Sequence, residues 1–187
     1  IGADNADFIT TYGGGSNTFV ASGGAVIDTN GFNIGILANL INAGGGGGLT
    51  KEGTGTLTLG GLNTYAGDTT VISGTLVLAD TSQLTFVVNE TPASNKVTGT
   101  GTATFNGVFN IDTSAVTGNT GFIWTLVDRN SLTGESFDPA TFSVAGFADA
   151  NDDGVWLMTD AKGDWSFDEA TGELTLDVGS DYDDWAT

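Results

Sequence analysis

The chain has 187 residues, 23 of them acidic and 4 basic, for a net charge of −19. That balance repels phosphate backbones and anionic lipid surfaces, so nucleic acid is disfavoured as a partner. There is no Cys and no His, which removes disulfides, thiol chemistry, the usual zinc sites and histidine acid–base catalysis. No run of about 20 apolar residues exists to span a membrane as a helix, so no membrane insertion is expected in this segment. No basic n-region opens the chain, and the start at Ile1, without Met, fits a processed chain or an excised fragment.

From the first residues onward the texture is short apolar runs cut by glycine. Asn17-Thr18-Phe19-Val20, Ala25-Val26-Ile27-Asp28-Thr29, Phe32-Asn33-Ile34-Gly35-Ile36 and Leu40-Ile41 are separated by Gly13-Gly14-Gly15, Gly23-Gly24 and Asn30-Gly31. Asn-Gly and Gly-Gly tolerate positive φ, as tight corners require. The stretch 34–42 reads as strand and turn. Gly44 to Gly48 reads as a loop between coils. A phosphate-cradling loop would need a helix after it and usually a Lys-Ser/Thr pair. The next residues, Leu49-Thr50-Lys51-Glu52-Gly53, read instead as a turn before a strand.

The strongest internal signal is a repeat. Gly55-Thr56-Leu57-Thr58-Leu59 returns as Gly74-Thr75-Leu76-Val77-Leu78, 19 residues on, and more weakly as Gly101-Thr102-Ala103-Thr104-Phe105, 27 residues further. Short β-rich segments with glycine corners, recurring at roughly 20 residues, suit one turn of a β-solenoid. Alternation places Leu on one face and Thr on the other. Leu57, Leu59, Val71, Leu76 and Leu78 are therefore the predicted core. Leu62 and Tyr65 are expected to point inward or to cap a corner. Gly53, Gly55, Gly60, Gly61, Gly67 and Gly74 are the predicted corners. Coils are expected over 1–118, with the glycine-rich repeat at 48–78.

Near residue 119 the runs become longer and more aromatic: 122–127, 142–144, 155–158, 165–167 and 174–178. Antiparallel strands closing one end of the solenoid are expected over 119–179. An open coil would otherwise expose core and unpaired edges. Trp124, Trp156 and Trp165 are expected in this packing, and Asp128-Arg129 reads as a surface turn pair. Residues 180–187 read as an acidic linker or a docking tail carrying Tyr182 and Trp185.

Asp149, Asn151, Asp152 and Asp153, with Gly154 after them, form the most site-like segment. Calcium takes six to eight hard oxygen ligands, so these four are candidate calcium ligands. An Asx-rich hairpin turn explains the same residues without an ion. No other cofactor is expected. Asp160, Asp164, Asp168, Glu169 and Glu173 supply carboxylates from which a glycosidase pair could be drawn. Spacing in sequence cannot place two of them at the required separation. No Ser has a His partner, and an enzyme is not expected.

Residues 48–59, continuing through Gly61-Leu62-Asn63-Thr64-Tyr65-Ala66-Gly67-Asp68-Thr69-Thr70-Val71 and Gly74-Thr75-Leu76, closely resemble the passenger-associated transport repeat, also called the autotransporter-associated β-strand repeat. The last third is similar to the region after the terminal repeat in large secreted proteins of environmental bacteria. The resemblance implies a right-handed parallel β-helix in a secreted or surface-displayed protein. It carries no catalytic residues. Expected partners are copies of the chain or flanking domains of a longer one, with polysaccharide as a further candidate. The expected role is a structural module at the outer cell surface, with a filament subunit as its specific form. An adhesin or glycan-binding module is the alternative.

Overall fold

The computed structural model describes residues 2–9, 17–118 and 121–178. The fold is all-β, a parallel solenoid whose far end is closed by an antiparallel sheet. Coil 1 contributes β1 (Asn5–Ile9), β2 (Asn17–Val20) and β3 (Ala25–Asp28). Coil 2 contributes β4 (Ile34–Ile36), β5 (Asn39–Asn42) and β6 (Leu49–Glu52), so the segment read as a turn at Leu49 is a strand. Coil 3 holds β7 (Thr56–Leu59), β8 (Leu62–Asn63) and β9 (Thr69–Val71). Coil 4 holds β10 (Thr75–Leu78), β11 (Gln83–Asn89) and β12 (Val97–Gly99). Coil 5 holds β13 (Thr102–Phe105) and β14 (Val108–Ala115). After it, β15 (Phe122–Thr125) leaves for the closing sheet. A parallel bridge from Val97 to Val127 takes the place of coil 5's third strand. Coil 6 adds β16 (Gly134–Phe137) and β17 (Ser143–Val144).

The first face is one parallel sheet in the order β1-β4-β7-β10-β13-β16, and the third is β3-β6-β9-β12. The second runs β8-β11-β14-β17 and meets the β2-β5 pair through a bridge between Ile41 and Thr64. The closing sheet is β15, β20 (Glu173–Asp177), β19 (Gly163–Asp168) and β18 (Val155–Asp160), antiparallel throughout. The solenoid and its closure therefore interleave along the chain, because β16 and β17 return to the coils after β15 has left them. No helix among the described residues is long and apolar enough to cross a membrane.

The sequence echoes are the register itself. Leu76 pairs with Leu57 on one side and Ala103 on the other, and Leu78 with Leu59 and Phe105. The period-two pattern of these strands sends Leu inward and Thr outward. Leu57 and Leu59 are 0 % exposed, and Val71, Leu76 and Leu78 are equally buried. Burial of each Leu contributes roughly 1.5–3 kcal/mol. Leu62 departs from expectation. It is exposed, because the alternation turns Asn63 and Tyr65 inward instead. Asn63 Nδ2 donates to the carbonyls of Gly61 and Gln83, one coil apart in the ladder. The buried Tyr65 hydroxyl meets Thr69 Oγ1 at 2.5 Å. Towards the closed end the filling becomes aromatic. Phe109 packs edge-on against Phe86, Phe105 and Phe142, and against Phe167 of β19, which joins coil and closure in one core.

Corners are where coils approach most closely. Gly53 and Gly74 adopt positive φ, of 75° and 69°. Gly55 has an ordinary φ, but a Cβ there would lie 1.9 Å from the Phe32 carbonyl oxygen. Gly61 and Gly67 face backbone at 2.5 Å in the same way, whereas at Gly60 the close contact is with the Leu37 side chain, at 2.7 Å, and backbone lies no nearer than 3.6 Å. The Gly44–Gly48 run joins β5 to β6, and Gly47 and Gly48 pack against the carbonyls of Ala21 and Asp68 in the coils on either side.

Gly55→Ala is accordingly expected to lower stability by at least about 2 kcal/mol, since backbone must move to admit the methyl. Gly23→Ala, with nothing within 4 Å of the added carbon, is expected to change it by less than about 0.5 kcal/mol. Urea unfolding of the two variants checks the contrast.

Candidate functional site

The acidic segment forms a loop before β18, and the closing sheet brings the β19–β20 turn against it. Pro139, Phe142, Asp149, Asp152, Asp153, Gly154, Trp156 and Glu169 line an open cleft of about 340 Å³. Phe142 and Trp156 meet edge-on, with ring centroids 5.6 Å apart, and form its apolar wall. Trp156 Nε1 donates to Glu169 Oε1 at 2.8 Å. The opposite wall is the loop itself. Asp149 Oδ2 accepts from the Gly154 amide at 2.9 Å, and its Oδ1 from the amides of Asn151 and Asp153 at 3.3 Å. Asp153 Oδ1 accepts from the Val155 amide at 3.1 Å. Asp152 sits at φ 56°, in the left-handed region that aspartate tolerates better than most residues.

These contacts set opposite electrostatics on two neighbouring carboxyls. At Asp149, partial desolvation is the largest single influence and raises the pKa, but the loop amides together outweigh it and hold the group below the usual carboxylate range. At Glu169, burial raises the pKa, the Trp156 hydrogen bond opposes it, and the charges of Asp149 and Asp168 add to the rise. Asp149, Asn151, Asp152 and Asp153 thus make a loop closed by its own amides. Among the described residues, no group of three or more His, Cys, Asp or Glu is arranged to hold a metal ion.

Of the remaining carboxylates named from sequence, Asp168 and Glu173 are register partners on β19 and β20, and the others are held by separate local hydrogen bonds. Asp160 accepts from Trp165 Nε1 and the Lys162 amide, Asp164 from Thr159 Oγ1, and Asp168 from the Ala170 amide. Of that set only Glu169 reaches the cleft. Trp124 and Trp165 stack in the core at 5.6 Å, both buried, while Trp156 is half-buried at the cleft. Asp128 and Arg129 are not partners of each other. Asp128 binds Lys96 at 3.1 Å, and Arg129 pairs with Glu135 and donates to the Glu169 carbonyl. Glu135 stands opposite Ala103 in the first sheet, a column filled by Leu in coils 3 and 4. Aligning Gly134-Glu135-Ser136-Phe137 with Thr102-Ala103-Thr104-Phe105 is the signal that would have found it. Tyr182 and Trp185 lie outside the described residues.

Residues 49–78 match the family described as Passenger-associated-transport-repeat. The matched segment runs from β6 to β10, roughly one sixth of the chain. No match was found among curated proteins or solved structures. The match falls within the coils, away from the acidic cleft.

The two carboxyls give a signed expectation. Glu169 has a raised folded-state pKa, so its ionised form opposes folding. That penalty is relieved as pH falls through the raised value. Asp149 has a depressed one, so its contribution is intact above the ordinary aspartate pKa and is lost as pH falls through the folded value. Carboxyl carbon shifts followed by NMR across an acid titration are expected to show Glu169 titrating first and Asp149 well below it. The reverse order would refute this geometry.

Proposed function

We propose that the chain is a non-enzymatic structural module of an extracellular or cell-surface protein. The observation that supports it best is the position of the transport-repeat match, in the middle of an in-register six-coil stack whose interior is filled by side chains. Such a stack is a rigid spacer, since each coil is held by its neighbours along the whole face. Surface shaving of intact source cells with protease, followed by peptide mass spectrometry, is the direct check. Release of peptides from 17–118 without lysis is expected. Recovery only from the cytoplasmic fraction would overturn the reading.

The specific form of this proposal is end-to-end assembly. Among the described residues β1, β2 and β3 have strand partners on one side only, and an unpaired edge is a template for another chain. The net charge opposes such contacts, so screening or cations are expected to favour them. Electron microscopy with and without calcium separates the cases. Ordered fibres support the filament form, and fibres that need calcium where sodium at the same ionic strength fails would assign it a specific bridging role at the acidic surface. Dispersed particles in both conditions leave a spacer.

A second reading, glycan binding, is favoured by one observation: the cleft joins a half-buried Trp156 to several carboxylate acceptors. Saturable polysaccharide binding, weakened at least tenfold by Trp156→Ala, is the outcome it requires, and silence across a broad glycan panel would remove it.

A further inference from the structure

The strand β6 carries an unusual side chain on its inward face. Lys51 stands in register between Ile27 and Val71, both of which face the same interior. It is 0 % exposed. Burying an ammonium without compensation is prohibitive, so its surroundings must supply oxygen. They do. Nζ lies 3.0 Å from Thr29 Oγ1, 2.9 Å from the Glu52 carbonyl, 2.7 Å from the Gly53 carbonyl and 3.1 Å from the Ser73 carbonyl. No carboxylate is among these partners.

The four oxygens come from three stacked corners. Thr29 belongs to the corner after β3, Glu52 ends β6 and Gly53 opens the corner after it, and Ser73 belongs to the corner after β9. Thr29 Oγ1 also donates to the Glu52 carbonyl, which leaves its lone pairs for the ammonium. The corners press together here. A Cβ at Gly53 would lie 2.5 Å from the Asn30 amide nitrogen, and one at Gly74 2.3 Å from the Gly55 carbonyl oxygen. Stacked turns with their carbonyls converging on one interior point accumulate negative potential, and an ammonium with three donors is the complement.

We infer that this corner is a monovalent-cation site filled by the protein's own lysine: Lys51 acts as a tethered cation that binds an oxygen cage drawn from three corners and clamps the first three coils in register. The cage, not the lysine stem, is the recognition element, so a small free cation of similar size should substitute for it. Burial lowers the Lys51 pKa below its ordinary 10.5 and the Asp28 carboxylate raises it. Glu52, the other acid on the packed strands, faces outward and is exposed. Across coils 1 to 4 the same column reads Ile27, Lys51, Val71 and Gly99, so one cation serves three corners.

The test compares Lys51→Ala with the native chain in potassium, ammonium and choline chloride at one ionic strength. Lys51→Ala is expected to lower the apparent Tm by roughly 10 °C. Potassium or ammonium is expected to restore part of that loss, and choline, too large for the cage, none of it. Lys51→Met, which refills the stem, is expected to stay low in all three salts. Equal recovery in all three salts would show general screening and overturn the cage, as would native stability of Lys51→Ala. If Lys51→Ala does not fold, NMR of the native chain's lysine ammonium groups decides. Slow hydrogen exchange at Lys51 against fast exchange at Lys96 supports the site, and equally fast exchange at both overturns it.

Discussion

Everything in this fold depends on how closely one coil can lie on the next. Parallel strands hydrogen-bond at about 4.8 Å, and the same spacing must hold at the corners. Gly55, Gly61 and Gly67 meet backbone of the preceding coil at distances no Cβ could occupy. The glycine content is therefore a steric condition of stacking and not a sign of a loose chain. Once the corners fit, the ladder aligns Leu57 on Leu76 and Leu59 on Leu78, and the interior closes along columns of like residues. No coil could bury its own apolar side alone.

The closed end obeys a different constraint. A column of Leu cannot simply stop, because its last member would face water. The solenoid answers by growing aromatic, through Phe105, Phe109 and Phe137, and the antiparallel sheet inserts Phe167 and Leu174 over them. Three indole N–H groups are all satisfied there, by the Asn89 carbonyl, Glu169 and Asp160. Lys162 adds a strut from the β18–β19 hairpin to the Thr113 carbonyl of β14. Three of the four basic residues thus tie solenoid to closure or coil to coil through partners far apart in sequence: Lys96 to Asp128, Arg129 to the Glu169 carbonyl, and Lys162 to Thr113. The fourth, Lys51, does so from inside.

Much of the coil register was legible because a period-two pattern repeats with glycine at its edges. The echo at 55, 74 and 101 is the hydrogen-bonded alignment of β7, β10 and β13. Polarity misled where alternation outranked it. Leu62 is outside and Asn63 inside, since a two-residue strand fixes the faces regardless of hydropathy. Lys51 was unreadable for a related reason. Its inward place follows from the strand parity of Leu49-Thr50-Lys51, but its tolerance for burial comes from carbonyls and a hydroxyl that include those of residues 29 and 73. The cleft was half legible. The acidic loop at Asp149 stood out, whereas Glu169 and Trp156 join it only through the antiparallel pairing of β18 with β19.

The measurement that tests the in-register stack most directly uses the absence of native cysteine. Nitroxide labels on Cys substituted at Thr58 and Val77 face outward on adjacent strands and are register partners. Parallel stacking places their backbones about 4.8 Å apart, so strong spin exchange is predicted in the doubly labelled chain. A pair at Thr58 and Thr104, two coils apart, should couple distinctly more weakly. Absent coupling between 58 and 77, with the labelled chain still folded, would contradict the solenoid register on which the whole fold rests.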